Sequence, residues 1–372
     1  MSSSTATARD RTDAPPVPVE QVYVTHCAPA DSYRGEAAAG FGIRASSTDD
    51  PELLRFALDY PAYELPLDMW EPNPLPGDAP RRLALVRVRQ GLFALVHTAY
   101  VQFDTRNRPG NYFTHILFHP QLTAAEALQT WGSPQWVTTY PAGGKKKLDQ
   151  FAERLPQKGK LDDRVLLAFL SGAQLPGDVL ATTVCPVREP LQGGDKGERR
   201  RKMLSAALQA TVLALKDLEE GGARKTFYLS AEPGLAALLL YGVVRLLPGS
   251  LVRELTFSTF EPPHRSFRQM KSVQVLATYT RTRDKGLESD FTTSRGYALD
   301  TFQPARSSDR LRDLDNLDPI CQKLVSWAAV GDWDSVAKLR QYHADPLSLS
   351  SLHKAHESVH LLATWAKLSE PE

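Results

Sequence analysis

Apolar and polar residues alternate in some stretches of this chain and recur at helical spacing in others. That change of period predicts the elements. Val19-Glu20-Gln21-Val22-Tyr23-Val24-Thr25 alternates as a strand half buried in a sheet does, and Phe41 to Ala45 predicts a second, short strand. Asp50 before Pro51 has the chemistry of an N-cap followed by proline at the first helical position, so a helix is expected over 51–58. Pro72, Pro74, Pro76 and Pro80 mark a loop. Arg82 to Arg89 then places Leu83, Leu85 and Arg87 on one face and Ala84, Val86 and Val88 on the other. Gln90-Gly91 turns this run into the β-rich residues Phe93 to Phe103, a hairpin. Asn111 to Phe118 predicts the next strand, ended by Pro120, and Thr123 caps a helix over 124–128. Together these predict an α+β unit with an antiparallel sheet.

Glycines and lysines over 141–160 predict a long loop or domain boundary, and Asp162 to Ser171 a helix. Residues 186–198 read as a second loop. Arg199 to Glu220 carries Leu204, Leu208, Thr211, Val212, Leu215 and Leu218 on one helical stripe, stopped by Gly221-Gly222. Thr226 to Leu229 predicts a strand. Gly234 to Leu247 is apolar all round, a core helix closed by Pro248-Gly249. Leu255 to Phe260 and Ser272 to Thr278 predict two more strands, and three helices are expected over 317–329, 333–342 and 348–368. The expected class is therefore α+β (mixed α/β). The expected divisions are a disordered tail over 1–18, one mixed domain over 19–155, a second over 156–305, and a helical segment over 306–372.

Charge and composition narrow the function. The 372 residues hold 44 Lys+Arg against 43 Asp+Glu, a formal net charge of +1. That balance makes no electrostatic case for a nucleic-acid or anionic-membrane partner. Cys27, Cys185 and Cys321 stand too far apart for a disulfide framework or zinc spacing, which fits a reducing compartment. The N-terminus has no apolar signal core, and the apolar run 235–247 is interrupted by Arg245, short of the roughly 20 residues a membrane span requires. A soluble, cytoplasmic protein is expected.

Candidate chemistry is sparse. Gly143-Gly144-Lys145 and Gly193-Gly194-Asp195-Lys196 do not form a phosphate-binding loop, and no nucleophile elbow occurs, so intrinsic nucleotide hydrolysis is not expected. His115 and His119 would lie on one face of a strand but about 13 Å apart, too far to share an ion. His353, His356 and His360 share a helical face, yet the first and last are about 10 Å apart along the axis; rim or interface histidines or a metal site both fit. Lys145 to Lys147 and Arg199 to Lys202 read as solvated faces. No cofactor or metal site is expected. The segment Asp104 to His115 stands out, a polar turn feeding an aromatic strand with Arg108, Asn111, Tyr112 and His115 in close order. It reads either as a Pro109-Gly110 turn with a hydrogen-bonded anchor or as a pocket wall.

Three of these stretches carry a resemblance. Gln21-Val22-Tyr23-Val24-Thr25-His26, Gly40-Phe41-Gly42-Ile43-Arg44-Ala45-Ser46 and Arg108-Pro109-Gly110-Asn111-Tyr112-Phe113-Thr114-His115 resemble the N-terminal domain of the bacterial GTPase-associated protein 1 family. Pro248 to Phe260 is similar to that family's following region, so the resemblance covers roughly residues 19–280. It implies a non-enzymatic adaptor or regulator that binds a GTPase, or another protein of the same multi-gene bacterial signalling or conflict system. Arg108, Asn111, Tyr112 and His115 would be its partner-binding or structural core. Two other readings stay open: an enzyme with a site near Asp104, Arg108, His115 and His119, and a scaffold that self-assembles through the C-terminal helices.

Overall fold

The computed structural model describes residues 18–35, 38–66, 73–157, 159–175, 195–219, 225–249, 255–261, 275–278, 296–302, 306–342 and 348–368. The expected tail before Pro18, the Gly221-Gly222 helix stop, Cys185 and residues 186–194 of the second loop lie outside the described residues.

Among the described residues nine strands form one sheet. In chain order they are β1 (Glu20–Cys27), β2 (Gly40–Ser46), β3 (Arg82–Arg89), β4 (Leu92–Phe103), β5 (Pro109–Pro120), β6 (Thr226–Ser230), β7 (Phe257–Ser258), β8 (Val275–Thr278) and β9 (Gly296–Asp300). Their spatial order is β2-β1-β5-β4-β3-β7-β8-β6-β9. Every pair from β2 to β7 is antiparallel; β7, β8, β6 and β9 run parallel. The mixed α+β class follows. The division expected near 155 separates β1 to β5 from β6 to β9 along the chain, and the sheet continues from one set to the other through Ala84↔Ser258 and Leu85↔Phe257.

The alternation in β3 sorts its side chains between two layers. Ala84 and Val86 join Val22, Val24, Ala94, Val96, Ile116 and Phe118 under helix α1 (Pro51–Asp59). Asp50 caps α1 by accepting from the Glu52 amide at 2.9 Å. Leu83 and Leu85 face the opposite side with Phe93, Leu95 and Leu117. There they meet α2 (Ala124–Gln129), α3 (Asp163–Leu170), α4 (Lys196–Glu219) and α5 (Pro233–Leu246). Thr123 and Glu126 form a reciprocal capping box on α2. β1 is not half exposed as its alternation suggests. Both of its faces are covered, and even Gln21 is buried, where it donates to the Asp149 carbonyl at 2.7 Å.

Other departures have local causes. α4 begins at Lys196, inside the expected loop, where the Asp195 carboxylate accepts from the Gly197 amide. It buries residues 203–215 on all sides rather than along one stripe, because α3 and α5 and helices further on surround it. Arg200 and Arg201 are not a solvated face. Arg200 donates to the carbonyls of Phe169 and Ala173 and Arg201 to that of Leu170, capping the end of α3. The strand expected over 255–260 is shortened to Phe257–Ser258 because the Thr259 hydroxyl, not a backbone carbonyl, receives the Leu83 amide at 2.9 Å. β9 had no counterpart among the expected strands.

After β9 come α6 (Asp309–Arg312), α7 (Pro319–Ala329), α8 (Trp333–Tyr342) and α9 (Leu349–Leu368). α9 buries Leu352, Ala355 and Val359 against the same core as α4 and α5. No helix among the described residues is long and apolar enough to cross a membrane.

Candidate functional site

The β4–β5 hairpin ends in a turn held by one carboxylate. Asp104 Oδ1 accepts from the amides of Arg106 at 2.7 Å and Arg108 at 2.9 Å. Its Oδ2 takes the Arg108 side chain through Nε at 2.7 Å and Nη2 at 2.7 Å. Burial pushes the Asp104 carboxyl up, but the bonds from Arg108 and Arg106 outweigh it and bring it down to about 2. Asn107 sits at φ 57°, a left-handed conformation asparagine tolerates. The sequence needs this residue set because a tight turn leaves amides pointing inward, and a short acceptor satisfies them.

Under the turn lies His26, on β1. Its Nδ1 is 2.8 Å from Thr105 Oγ1, and its Nε2 is 3.2 Å from Arg108 Nη2 and 3.5 Å from Asp104 Oδ2. A guanidinium only donates, so Nε2 carries the lone pair and Nδ1 donates to Thr105; this tautomer is assigned from the network. Burial lowers the His26 pKa; Asp104 raises it and Arg108 and Arg106 lower it. The hydroxyl, imidazole and carboxylate resemble a nucleophilic triad in spacing. Their proton arrangement is reversed: the ring that should take the Thr105 proton is already giving one.

The remaining candidates separate. Asn111 Nδ2 donates to the Phe103 carbonyl at 2.9 Å, and Asn111 Oδ1 accepts from the His26 amide at 3.4 Å, tying the hairpin to β1. Tyr112 stacks on Phe41 of β2, with centroids 4.4 Å apart and planes 13° from parallel. His115 is elsewhere, seven residues and roughly 23 Å along the strand from Arg108. It faces the opposite layer, where its Nε2 meets Gln21 Oε1 at 3.1 Å, its Nδ1 accepts from the Val137 amide at 3.3 Å, and its ring meets Trp136 edge-on. Burial pushes His115 down to about 3. His119 lies farther on, bonded by Arg154 Nε at 3.3 Å. Arg108 and His115 therefore do not share a pocket.

What the sequence reading missed is the pairing of His26 and Thr105 with this turn. Alternation places His26 on a strand, but only strand order brings it beneath Arg108. The tip also carries exposed apolar surface: Phe41 is 48% and Phe103 43% exposed, and the Arg108 side chain is 58% exposed. Arg106 is exposed beside them.

The histidines of α9 do not converge. His353 Nε2 meets Asp318, the cap of α7, at 2.8 Å, and His356 lies against Trp327 with centroids 5.5 Å apart. Among the described residues no group of three or more His, Cys, Asp or Glu is placed to hold a metal ion.

Two comparisons with known proteins bear on this site. The chain is 39% identical over 84 residues to a protein described as a putative ESX-1 scaffolding and assembly protein from Mycolicibacterium smegmatis strain MKD8. That stretch is 22% of this chain and 10% of the relative. It is 43% identical over 67 residues to the like-named protein of strain ATCC 700084 / mc(2)155, 17% of this chain and 8% of the relative. The chain thus matches about a tenth of these relatives' length. Residues 18–153 match the family described as GTPase-associated protein 1, N-terminal domain type 2, a stretch that ends before the Pro248–Phe260 similarity. That stretch holds β1 to β5, α1, α2 and the clamped turn, so the part of the chain that is similar to the family is the part that carries the turn.

Proposed function

We propose that this protein is a non-catalytic adaptor or regulator in the cytoplasm of a bacterium, and that it docks a GTPase of its own signalling or conflict system through the β4–β5 tip. The carrying observation is the turn itself. One carboxylate fixes it before any partner arrives, so Phe103, Arg106 and Arg108 are presented with little ordering cost left to meet on binding. Exposed aromatic and arginine side chains are the types that dominate binding energy at interfaces. The GTPase-associated family supports the partner class, and the scaffolding and assembly role named for the mycobacterial relatives supports a protein-assembly role.

The test is binding of the full chain to purified GTPases encoded beside it, each loaded with GDP or a non-hydrolysable GTP analogue. Phe103→Ser and Arg106→Glu are expected to weaken binding at least ~10-fold without lowering the melting temperature. Equal affinity of both variants and the parent would remove the tip from the interface. Absence of binding to every loaded GTPase would remove the partner class.

A further inference from the structure

A second cationic site stands apart from the hairpin tip, where the end of α5 meets α8. Arg245 donates from Nε to Asp163 Oδ1 at 2.8 Å and from Nη2 to Asp163 Oδ2 at 2.6 Å, while Tyr241 donates to the same carboxylate at 2.9 Å. The Arg245 guanidinium lies over the Trp333 ring, 5.4 Å from its centroid. Trp333 and Arg340 are seven residues apart on α8, which is two turns and about 10 Å on one face. Arg340 lies at Gly249, just past α5, where an added β-carbon would sit 3.6 Å from its Nη2. Among the described residues the half-buried Arg340 guanidinium has no hydrogen-bond or ion-pair partner. Burial, and then the charge of Arg245, pull its pKa below the ordinary value.

The charges here do not cancel. Asp163 neutralises Arg245 and leaves Arg340 uncompensated in a partly dry position, which costs free energy unless an anion answers it. Asp163 occupies Nε and Nη2 of Arg245 and leaves Nη1 with two N–H groups to offer. A planar carboxylate satisfies one guanidinium fork. A tetrahedral oxyanion has oxygens enough to bridge two guanidiniums arriving from different helices. We propose that Arg340 and Arg245, the latter held over the Trp333 ring, form a binding site for a phosphomonoester group. Phosphate brings more than one negative charge at neutral pH and so answers Arg340 fully.

Thermal melting of the full chain, with ionic strength held constant by sodium chloride, tests this. Inorganic phosphate is expected to raise the melting temperature saturably by ~2–4 °C, and Arg340→Gln to abolish the rise while Arg340→Lys keeps part of it. Without oxyanion, Arg340→Gln is expected to melt at or above the parent, because it removes an unanswered charge. Guanosine monophosphate and O-phosphoserine arms then distinguish a nucleotide source from a phosphorylated protein, by whichever shifts melting at the lower concentration. Three results overturn the site: no saturable rise with phosphate, an equal rise with citrate, or a lower melting temperature of Arg340→Gln in plain buffer.

Discussion

Arg82 on β3 reaches Glu261, beyond β7, at 3.4 Å, although 179 residues separate them in the chain. Both are buried, Arg82 at 0% exposure and Glu261 at 3%. The pair straddles the seam between the antiparallel and parallel parts of the sheet. Arg82 also donates to the Ala62 carbonyl at 2.9 Å and to Thr98 Oγ1 at 3.1 Å, and lies over the Tyr60 ring. Its Nε has no hydrogen-bond partner among the described residues.

Breaking this pair from the arginine side strands a buried carboxylate, and Arg82→Met is expected to cost about 3–5 kcal/mol in urea unfolding. Burial raises the Glu261 pKa more than Arg82 lowers it, so the position favours a neutral group more than water does. Glu261→Gln is therefore expected to cost less, about 1–2 kcal/mol. Glu261's own contribution is greatest below its unfolded pKa and fades as pH rises. A larger cost for Glu261→Gln than for Arg82→Met would reverse this account of the seam.

The buried imidazoles make the fold sensitive to acid. His115 is held down to about 3 and His97 well below its usual value, each chiefly by burial. The unfolded chain takes protons near pH 6.5 that the folded chain refuses. Stability is thus fully present above pH 6.5 and is lost as pH falls below it, for His115 down to about 3, by roughly 1.4 kcal/mol per pH unit for each such group. His115→Gln keeps an acceptor for Val137 and is expected to lose less stability than the parent between pH 7 and pH 5. Equal losses in both proteins would remove His115 from the acid response.

The clamped turn has its own cost. Asp104→Ala leaves the Arg106 and Arg108 amides and the Arg108 fork without their acceptor, an expected loss of about 1–3 kcal/mol at neutral pH. Asp104→Asn keeps one acceptor oxygen and is expected to fall between. With its folded pKa near 2, Asp104 stabilises above the unfolded carboxylate range and loses that contribution only as pH falls through it. Identical melting of Asp104→Ala and the parent would show that the turn needs no clamp.

A sheet that joins strands from before and after residue 155, and a core shared by β3, α2, α4, α5 and α9, couple the two parts of the chain. Calorimetry is expected to show one unfolding transition. Two resolved transitions would mean that the parts on either side of 155 melt independently despite the seam.

Local rules were legible wherever one residue's chemistry dictates its neighbours' conformation. The Asp50 and Thr123 caps, the Gln90-Gly91 turn and the β3 alternation all appear where the sequence places them. β7 is shorter than its alternation because a threonine hydroxyl from the same segment competes for the ladder, which periodicity does not register. β9 was missed although Tyr297 and Leu299 alternate across it, because so short a run needs a neighbouring strand to reveal itself.

The sequence by itself determined most of the elements, the mixed class and the turn at Asp104 to Asn111, because capping, alternation and turn chemistry act over a few residues. Tertiary structure decided which strands lie side by side. It set His26 under Arg108 and separated Arg108 from His115. It also joined Arg82 to Glu261, and brought Arg340 to the end of α5 without a carboxylate partner among the described residues. Strand order and helix packing follow from burying apolar surface over the whole chain, and no local pattern carries that information.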